Sequence, residues 1–176
     1  MQKNLLIMSE MPQYFINLAD KNFNTHKLWL QNDEDKFISE IQEKVDAIAV
    51  MGGYKITPEL MKSMTNLKII ACYGVGYDAI DIAYAKSLGI KVTNTPEVLN
   101  DEVADTAIAL MLCVYRKILE ADKFARNNSW VNGEFPLTKK FSGSKLGIVG
   151  MGRIGKAIAK RAEAFNCTIS YHSRNK

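Results

Sequence analysis

The amino-acid sequence predicts an α/β protein built on parallel sheets, and two observations support this fold class. Short apolar segments typical of buried strands alternate with segments of helical periodicity. Such alternation is typical of a parallel sheet that is covered by helices on both faces. In addition, glycine clusters follow several of the strands directly, which is where parallel α/β sheets bind their ligands. We therefore expect a flavodoxin-like parallel-sheet domain followed by the start of a Rossmann dinucleotide-binding domain.

Five strands and four helices are expected in the first 94 residues. The strands are predicted at 4–8, 26–30, 47–51, 67–71 and 91–93, and the helices at 12–21, 34–44, 57–65 and 79–87. Thr57 and the following Pro58 are typical of a helix start, with the threonine as the N-cap. Asp78 and Asp81 suit the N-cap and the N3 acid of the next helix, and Gly89 suits its C-terminus.

A break at residues 94–97 separates two expected domains, one at 1–97 and one at 98–176. The second begins with a long helix at 101–126, whose apolar residues recur at helical spacing and which is interpreted as a connector between domains. Residues 127–143 are polar and irregular, and the start of a β-α-β unit follows. The first domain is expected to bind substrate and the second to bind part of a dinucleotide.

The segment from Lys145 to Lys156 carries the pattern G-x-G-x-x-G between an apolar strand and a helix, which is the context of a dinucleotide site. Gly150 allows a sharp turn after the strand, and Gly152 lets a pyrophosphate approach the backbone. Gly155 lets the helix pack closely against the strand, and the helix N-terminus offers free N–H groups to phosphates. The other interpretation is a glycine-rich turn that binds nothing.

The last strand, predicted at 168–172, indicates which dinucleotide is preferred. An acid at its tip would bond the ribose 2′-hydroxyl of NAD, but this tip reads Ser173, Arg174, Asn175 and Lys176. Arg174 and Lys176 would attract a 2′-phosphate instead. The sequence therefore favours NADP(H), with NAD(H) as the alternative, unless these cations form only a solvated strand end.

A second glycine cluster, from Cys72 to Asp78, follows the strand predicted at 67–71. Backbone N–H groups around Val75 and Gly76 are able to form an anion-binding nest, for which a small carboxylate is the natural ligand. Gly52 and Gly53 end the preceding strand in a similar way, so we expect both turns to face one cleft. The alternative is a pair of tight turns with no ligand.

Composition excludes several classes of function. The net charge of +4 is scattered, which argues against nucleic-acid binding. No apolar run approaches the ~20 residues of a membrane span, and no signal peptide is recognised, so the chain is expected to be cytoplasmic. Cys72, Cys113 and Cys167 are odd in number and far apart, so they are interpreted as small buried hydrophobes rather than a disulfide frame or a zinc site. His26 and His172 are too few and too isolated to indicate a metal site.

Linked motifs from residue 47 to the last residue resemble those of the D-2-hydroxyacid dehydrogenase family. They read GVGYDAID at 74–81, GIKVTNTP at 89–96, DEVAD at 101–105, FSG at 141–143, GIVGMGRIG at 147–155 and YHSR at 171–174. Within the family the chain is most similar to the NADPH-preferring hydroxypyruvate/glyoxylate reductases, including the plant hydroxyphenylpyruvate reductases.

This resemblance implies an enzyme with its active site between two domains. In such an enzyme a hydride passes to a 2-oxo acid, with an arginine, a histidine and a supporting carboxylate in the catalytic roles. The site residues it implies fall into two sets. The substrate carboxylate is held by the amides of Val75 and Gly76 beside Gly52 and Gly53, and the cofactor lies against Arg153, Ile154, Gly155, Ser173 and Arg174. The resemblance also implies a homodimer through the long helix and the Trp130 loop.

The family's three catalytic residues lie beyond residue 176, so no catalytic residue is assigned here. The chain is expected to be part of a longer protein or a truncated product, without activity by itself. The leading hypothesis is the N-terminal portion of a reductase of small 2-oxo acids. The alternatives are a non-catalytic protein that binds carboxylates and dimerises, and an NAD-linked D-lactate or phosphoglycerate dehydrogenase. Hydroxypyruvate, glyoxylate and aryl-pyruvates all remain candidate substrates.

Overall fold

The computed structural model describes residues 2–174. The chain divides into two compact units, Met1–Pro96 and Glu97–Lys176. Within the described residues, no helix combines the length and the apolar character needed to cross a membrane.

The first unit contains a five-stranded parallel sheet with the strand order β2-β1-β3-β4-β5. Its strands are β1 (Asn4–Ile7), β2 (Asn24–Lys27), β3 (Ala47–Met51), β4 (Ile69–Tyr73) and β5 (Lys91–Thr93), and its helices are α1 (Gln13–Asn22), α2 (Glu34–Ile41), α3 (Pro58–Ser63) and α4 (Ile82–Ser87). This order is that of flavodoxin-like sheets, so the predicted fold class is confirmed.

Side chains from both faces of the sheet form the core of the first unit. Leu6, Ile48 and Ile70 lie on one face in the larger cluster, together with residues of α2, α3 and α4. Leu5 and Ile7 lie on the other face and pack against α1. Burial on both faces explains why the central strands read as continuous apolar runs.

Several predicted boundaries in the first unit are wrong. The fourth strand is Ile69–Tyr73 rather than 67–71, and the second helix ends at Ile41 rather than at residue 44. Two other differences have a clear physical reason. The second strand is Asn24–Lys27, and Leu28–Leu30 forms a 3₁₀ turn. As an edge strand, β2 pairs only with β1, in the register Asn4↔Asn24. It therefore needs few apolar side chains, and the apolar pattern marked the following turn instead. The helix predicted at 79–87 begins at Ile82, because Asp81 rather than Asp78 is its N-cap and accepts from the Tyr84 N–H.

The second unit contains a parallel pair of strands, β6 (Lys145–Val149) and β7 (Thr168–His172), joined by α7 (Arg153–Glu163). Before them lie α5 (Asn100–Arg116), α6 (Ile118–Arg126) and a 3₁₀ turn at Ser129–Val131. Arg161 of α7 binds Asp101 and Asp105 of α5, and its Nη2 lies 3.0 Å from Asp101 Oδ1.

The single connector helix predicted at 101–126 is wrong, because the structure has two helices there. Lys117 adopts a left-handed conformation with φ of 49° and ends α5. On either side of this break, Tyr115 packs against Phe141 and Phe124 packs against Phe135. Because both halves keep helical spacing, the apolar pattern contains no sign of the bend between them.

Much apolar surface of β6 and β7 is exposed. Ile148 is the buried hydrophobic residue of β6, whereas Val149 is 89% exposed and Tyr171 is 57% exposed. This pair of strands therefore leaves apolar side chains uncovered on its surface.

Candidate functional site

The two glycine turns of the first unit lie side by side at the carboxyl edge of the sheet. The Gly52 N–H, just after β3, donates to the carbonyl oxygen of Tyr73 at 3.3 Å. A Cβ atom on Gly74 would lie 3.2 Å from the Gly52 Cα, which is closer than side chains normally approach backbone. Gly53 has a φ of +94°, which glycine adopts without strain. The two turns are therefore adjacent, and their facing one cleft stays a prediction.

The turn from Gly74 to Gly76 is held by its carbonyl oxygens. The Gly74 carbonyl accepts from the Thr95 N–H at 2.9 Å. The Val75 carbonyl accepts from Asn94 Nδ2 at 2.9 Å, and the Gly76 carbonyl accepts from Cys72 Sγ at 3.4 Å. Among the described residues, no acceptor takes a hydrogen bond from the Val75 or Gly76 N–H. These two amides are therefore available to an anion.

Charged groups of both signs surround this edge. A Cβ atom on Gly76 would lie 3.7 Å from Asp78 Oδ2, so a carboxylate is close to the turn. An open cavity of about 610 Å³ lies beside the turns and is lined by Gly53, Lys55, Ile56, Pro58, Asp78, Ala79 and Asp81. That volume is in the range of small-molecule sites.

Asn94 and Cys72 were not predicted as part of this site. Asn94 follows β5 directly, so its place at the carboxyl edge is a signal that could have identified it. Cys72 was interpreted as a buried hydrophobe, and it is buried, but its thiol also donates a hydrogen bond. Burial raises the pKa of the Cys72 thiol, which keeps the donor proton in place at neutral pH.

The glycines of the second unit have the local geometry that their spacing predicts. Gly150 has a φ of +97°, and its N–H donates to the His172 carbonyl at 2.8 Å. A Cβ atom on Gly155 would collide with the Gly150 carbonyl oxygen, so α7 packs against the β6 turn as a glycine there allows. Gly152 is the N-cap of α7, and no atom of the described residues lies within 4 Å of a Cβ built on it.

The N-terminus of α7 presents free donors. The first helical bond runs from the Lys156 N–H to the Gly152 carbonyl at 2.9 Å. The N–H groups of Arg153, Ile154 and Gly155 therefore have no acceptor within the helix. The Arg153 side chain points away from the helix, and its Nε lies 2.9 Å from Glu97 Oε1. Glu97 has a left-handed backbone conformation, with a φ of 72°. This end of the helix combines unpaired N–H groups, a positive dipole end and a cation.

The residues predicted to bind the 2′-phosphate directly follow β7. Ser173 is half-buried and Arg174 is exposed directly after the strand. Lys176, which was included in the prediction, lies outside the described residues.

Residues 5–171 match the family described as D-isomer specific 2-hydroxyacid dehydrogenase, catalytic domain. The chain is 42% identical to glyoxylate/hydroxypyruvate reductase A of Arabidopsis thaliana over 170 residues, which are 97% of this chain and 54% of that relative. It is also 42% identical to hydroxyphenylpyruvate reductase of Plectranthus scutellarioides over 172 residues, which are 98% of this chain and 55% of that relative. The chain thus spans about half the length of the curated relatives it matches.

A solved structure supports the same relationship. It is an NADPH-dependent glyoxylate/hydroxypyruvate reductase of Sinorhizobium meliloti in complex with NADP and malonate. The match has a TM-score of 0.88 and 38% identity, and it covers 100% of this chain and 55% of that one. This chain belongs to the D-isomer specific 2-hydroxyacid dehydrogenase family.

Proposed function

We propose that this chain forms the substrate-carboxylate site and the pyrophosphate site of an NADPH-dependent reductase of small 2-oxo acids. Residues 1–97 are the substrate-binding domain, and residues 98–176 are the first part of the dinucleotide-binding domain. The observation that carries the proposal is the pair of amides at Val75 and Gly76, which donate to no acceptor among the described residues and follow β4 at the carboxyl edge of a parallel sheet. Family membership supplies the reaction class.

On the substrate side, the amides of Val75 and Gly76 bind the carboxylate of the 2-oxo acid. Successive N–H groups in a glycine turn suit an anion without placing a full positive charge beside it. Gly52 lies against the same turn, since a Cβ atom there would lie 3.5 Å from the Gly76 carbonyl oxygen, and Gly53 lines the adjacent cavity. Malonate, which is bound in the related Sinorhizobium structure, is itself a small carboxylate.

On the cofactor side, Gly150 and Gly152 at the start of α7 would leave room for the pyrophosphate. The N–H groups of Arg153, Ile154 and Gly155 would hold it, and the helix dipole favours its charge. Ser173 and Arg174 would hold the adenosine 2′-phosphate. The preferred cofactor is NADP(H), and NAD(H) is the alternative. Support comes from the missing acid at the tip of β7 and from the NADP that is bound by the Sinorhizobium relative.

When bound, the nicotinamide supplies the hydride that reduces the 2-oxo group to a D-2-hydroxy acid. The residues of this chain bind and orient the two reactants, and none is assigned the proton-donating role. His26, on the edge strand β2, forms a hydrogen bond with Asn4 of β1, and His172 lies within β7, so neither has the setting of a catalytic acid. We expect the 176-residue chain by itself to show no turnover of glyoxylate or hydroxypyruvate; measurable turnover would contradict this expectation.

A homodimer through the second unit is part of the proposal. Apolar side chains of α5, α6 and the following turn are exposed, among them Leu110 (61%), Val114 (75%), Leu119 (68%) and Trp130 (62%). Clusters of such side chains are typical of surfaces that become buried on association. Sedimentation of the purified chain over a concentration series tests this, and a monomer at all concentrations would contradict it.

The binding sites are tested by following the amide resonances of the ¹⁵N-labelled chain. Oxamate, a 2-oxo acid analogue, should shift Val75 and Gly76. Adenosine 2′,5′-bisphosphate should bind more tightly than 5′-AMP, and this preference should fall about tenfold or more in Arg174→Ala. Lys160→Ala removes another exposed cation, on α7, and serves as the control.

The outcomes of these measurements distinguish the proposed reductase from the alternatives. Equal binding of both adenosine phosphates would contradict the NADP assignment. If oxamate leaves the resonances of Val75 and Gly76 unchanged, the substrate site is contradicted. Carboxylate binding without binding of any dinucleotide would favour the non-catalytic alternative.

A further inference from the structure

We propose that Asn94, assisted by Cys72, is a positioning residue that aims the Val75 and Gly76 amides at the substrate carboxylate. This inference rests on the proposed function, because it names the residues that shape the proposed carboxylate site. Neither residue touches the carboxylate itself. Both act through the carbonyl oxygens on the opposite side of the turn.

The planarity of the peptide bond links each carbonyl to the next amide. In a trans peptide, the C=O of one residue and the N–H of the following residue point in opposite directions, and the chain contains no cis peptide among the described residues. Asn94 Nδ2 holds the Val75 carbonyl at 2.9 Å and therefore orients the Gly76 N–H. The Thr95 N–H holds the Gly74 carbonyl at 2.9 Å and orients the Val75 N–H in the same way. Cys72 Sγ holds the Gly76 carbonyl at 3.4 Å, which restrains the far side of the turn.

The turn needs such restraint because of its composition. Gly74 and Gly76 lack side chains, so the backbone around Val75 has unusual freedom, and ordering it on binding would cost entropy. Gly74 cannot be replaced cheaply, since a Cβ atom there would lie 3.2 Å from the Gly52 Cα. External donors are therefore the available means of pre-organising the amides.

Asn94 is well placed to act as a rigid donor. It directly follows Thr93, which is in register with Ala71 of β4, and the next residue, Thr95, bonds Gly74. The asparagine is thus anchored on both sides to the strand and turn that it orients. The chemistry also determines which amide atom faces Val75, because a carbonyl oxygen only accepts and Nδ2 is the donor.

A donor that positions the turn differs from a side chain that merely fills space. Asn94→Asp keeps the shape, but its ionised form has no proton to donate and repels the Val75 carbonyl. The protonated form regains a donor, so binding by this variant should recover as the pH falls. Asp78, Asp81 and Lys55 also lie at this edge, and Tyr77 and Lys86 line the pocket that contains Asn94. All five are the same in wild type, which therefore serves as the control for their charges.

The experiment measures oxamate affinity on the whole 176-residue chain from pH 4 to pH 7.5, through the Val75 and Gly76 amide resonances. Urea unfolding of each variant is measured in parallel. Asn94→Ala should weaken oxamate binding about tenfold. Asn94→Asp should weaken it at least as much at pH 7.5, and the ratio of its affinity to that of wild type should rise towards pH 4. A matched control is Asn66→Ala, since Asn66 Nδ2 likewise donates to a carbonyl, that of Glu43 at 2.6 Å. This variant should lose stability without losing affinity.

Cys72 gives a second test that does not alter Asn94. Cys72→Ser keeps a donor and should bind oxamate more tightly than Cys72→Ala. Should the Asn94 variants fail to fold, this comparison tests the inference in their place. Three outcomes would overturn the inference and leave the proposed function intact. They are wild-type oxamate affinity in the Asn94 variants, a loss of affinity in Asn94→Asp that does not depend on pH, and equal oxamate affinity of the two Cys72 variants. An absence of oxamate binding by wild type would overturn the proposed carboxylate site and this inference with it.

Discussion

The replacement Gly155→Ala tests how closely α7 must approach the turn after β6. A Cβ atom at this position would overlap the Gly150 carbonyl oxygen, and it would also lie 3.2 Å from the Gly150 carbonyl carbon. The obstacle is backbone and cannot rotate away, so the helix has to move. We expect α7 to shift by on the order of 1 Å, at the expense of its packing on β6.

The expected magnitude follows from two opposing effects. Overpacking of this kind costs about 1–3 kcal/mol, and a rigid neighbour favours the upper part of that range. Replacing glycine by alanine within a helix returns about 0.5–1 kcal/mol through lower conformational entropy and better propensity. The net loss is about 2 kcal/mol for the second unit, which corresponds to a roughly 30-fold larger population of open forms.

Native-state amide hydrogen exchange is the assay. Protected amides of β6 and β7 should exchange roughly 30-fold faster in Gly155→Ala than in wild type. Amides of β3, in the first unit, provide an internal reference within each sample. Gly147→Ala is the matched control, because a Cβ on Gly147 meets nothing within 4 Å. If both variants exchange at the wild-type rate, the close packing of α7 inferred from Gly155 is refuted.

Three further predictions test other contacts. The hydrogen bond from Lys3, 2.7 Å away, lowers the pKa of Asp46 below its usual 3.8. Ionised Asp46 therefore stabilises the folded state at pH values above 3.8, and this stabilisation disappears as the pH falls through the lowered pKa. Urea unfolding of Asp46→Asn should accordingly show a deficit at pH 7 that vanishes at low pH, and a constant deficit would contradict this. Glu97→Gln should free Arg153 and tighten pyrophosphate binding by about two- to threefold, measured by calorimetry; unchanged affinity would show that the ion pair does not compete. Lys117→Gly should raise the free energy of unfolding by up to about 1 kcal/mol, because glycine tolerates the left-handed φ, whereas a loss of similar size is expected if the two helices were continuous.

Most of the sheet of the first unit could be predicted from the sequence, because central parallel strands are buried on both faces. Residues 47–51 are predicted and observed as a strand with the same bounds. The edge strand β2 was misplaced for the opposite reason: it is polar, and the apolar run after it anchors a turn through the buried Leu28. The break at Lys117 was missed because a single left-handed residue leaves the helical spacing on both sides unchanged.

In the candidate sites, too, local contacts could be predicted from the sequence and long-range contacts could not. The roles of Gly150 and Gly155 in the turn and in helix packing depend on contacts within a few residues of each other, so the spacing of the motif was sufficient to predict them. The bond from Asn94 to Val75 joins residues far apart in sequence and depends on β5 lying beside β4. The pairing of Arg153 with Glu97 is also a long-range contact, and neither motif contains a signal for it.

By itself, the sequence determined the fold class, the family resemblance and the location of two glycine-rich turns, since these follow from local periodicity and short motifs. Only the tertiary structure decided how those turns are supported. It brings Gly52 against Gly74, holds the carbonyls of Gly74 and Val75 from the end of β5, and leaves the opposing amides unpaired. The physical reason is that hydrogen bonds between neighbouring strand ends depend on strand order and register, which are set by packing of the whole sheet.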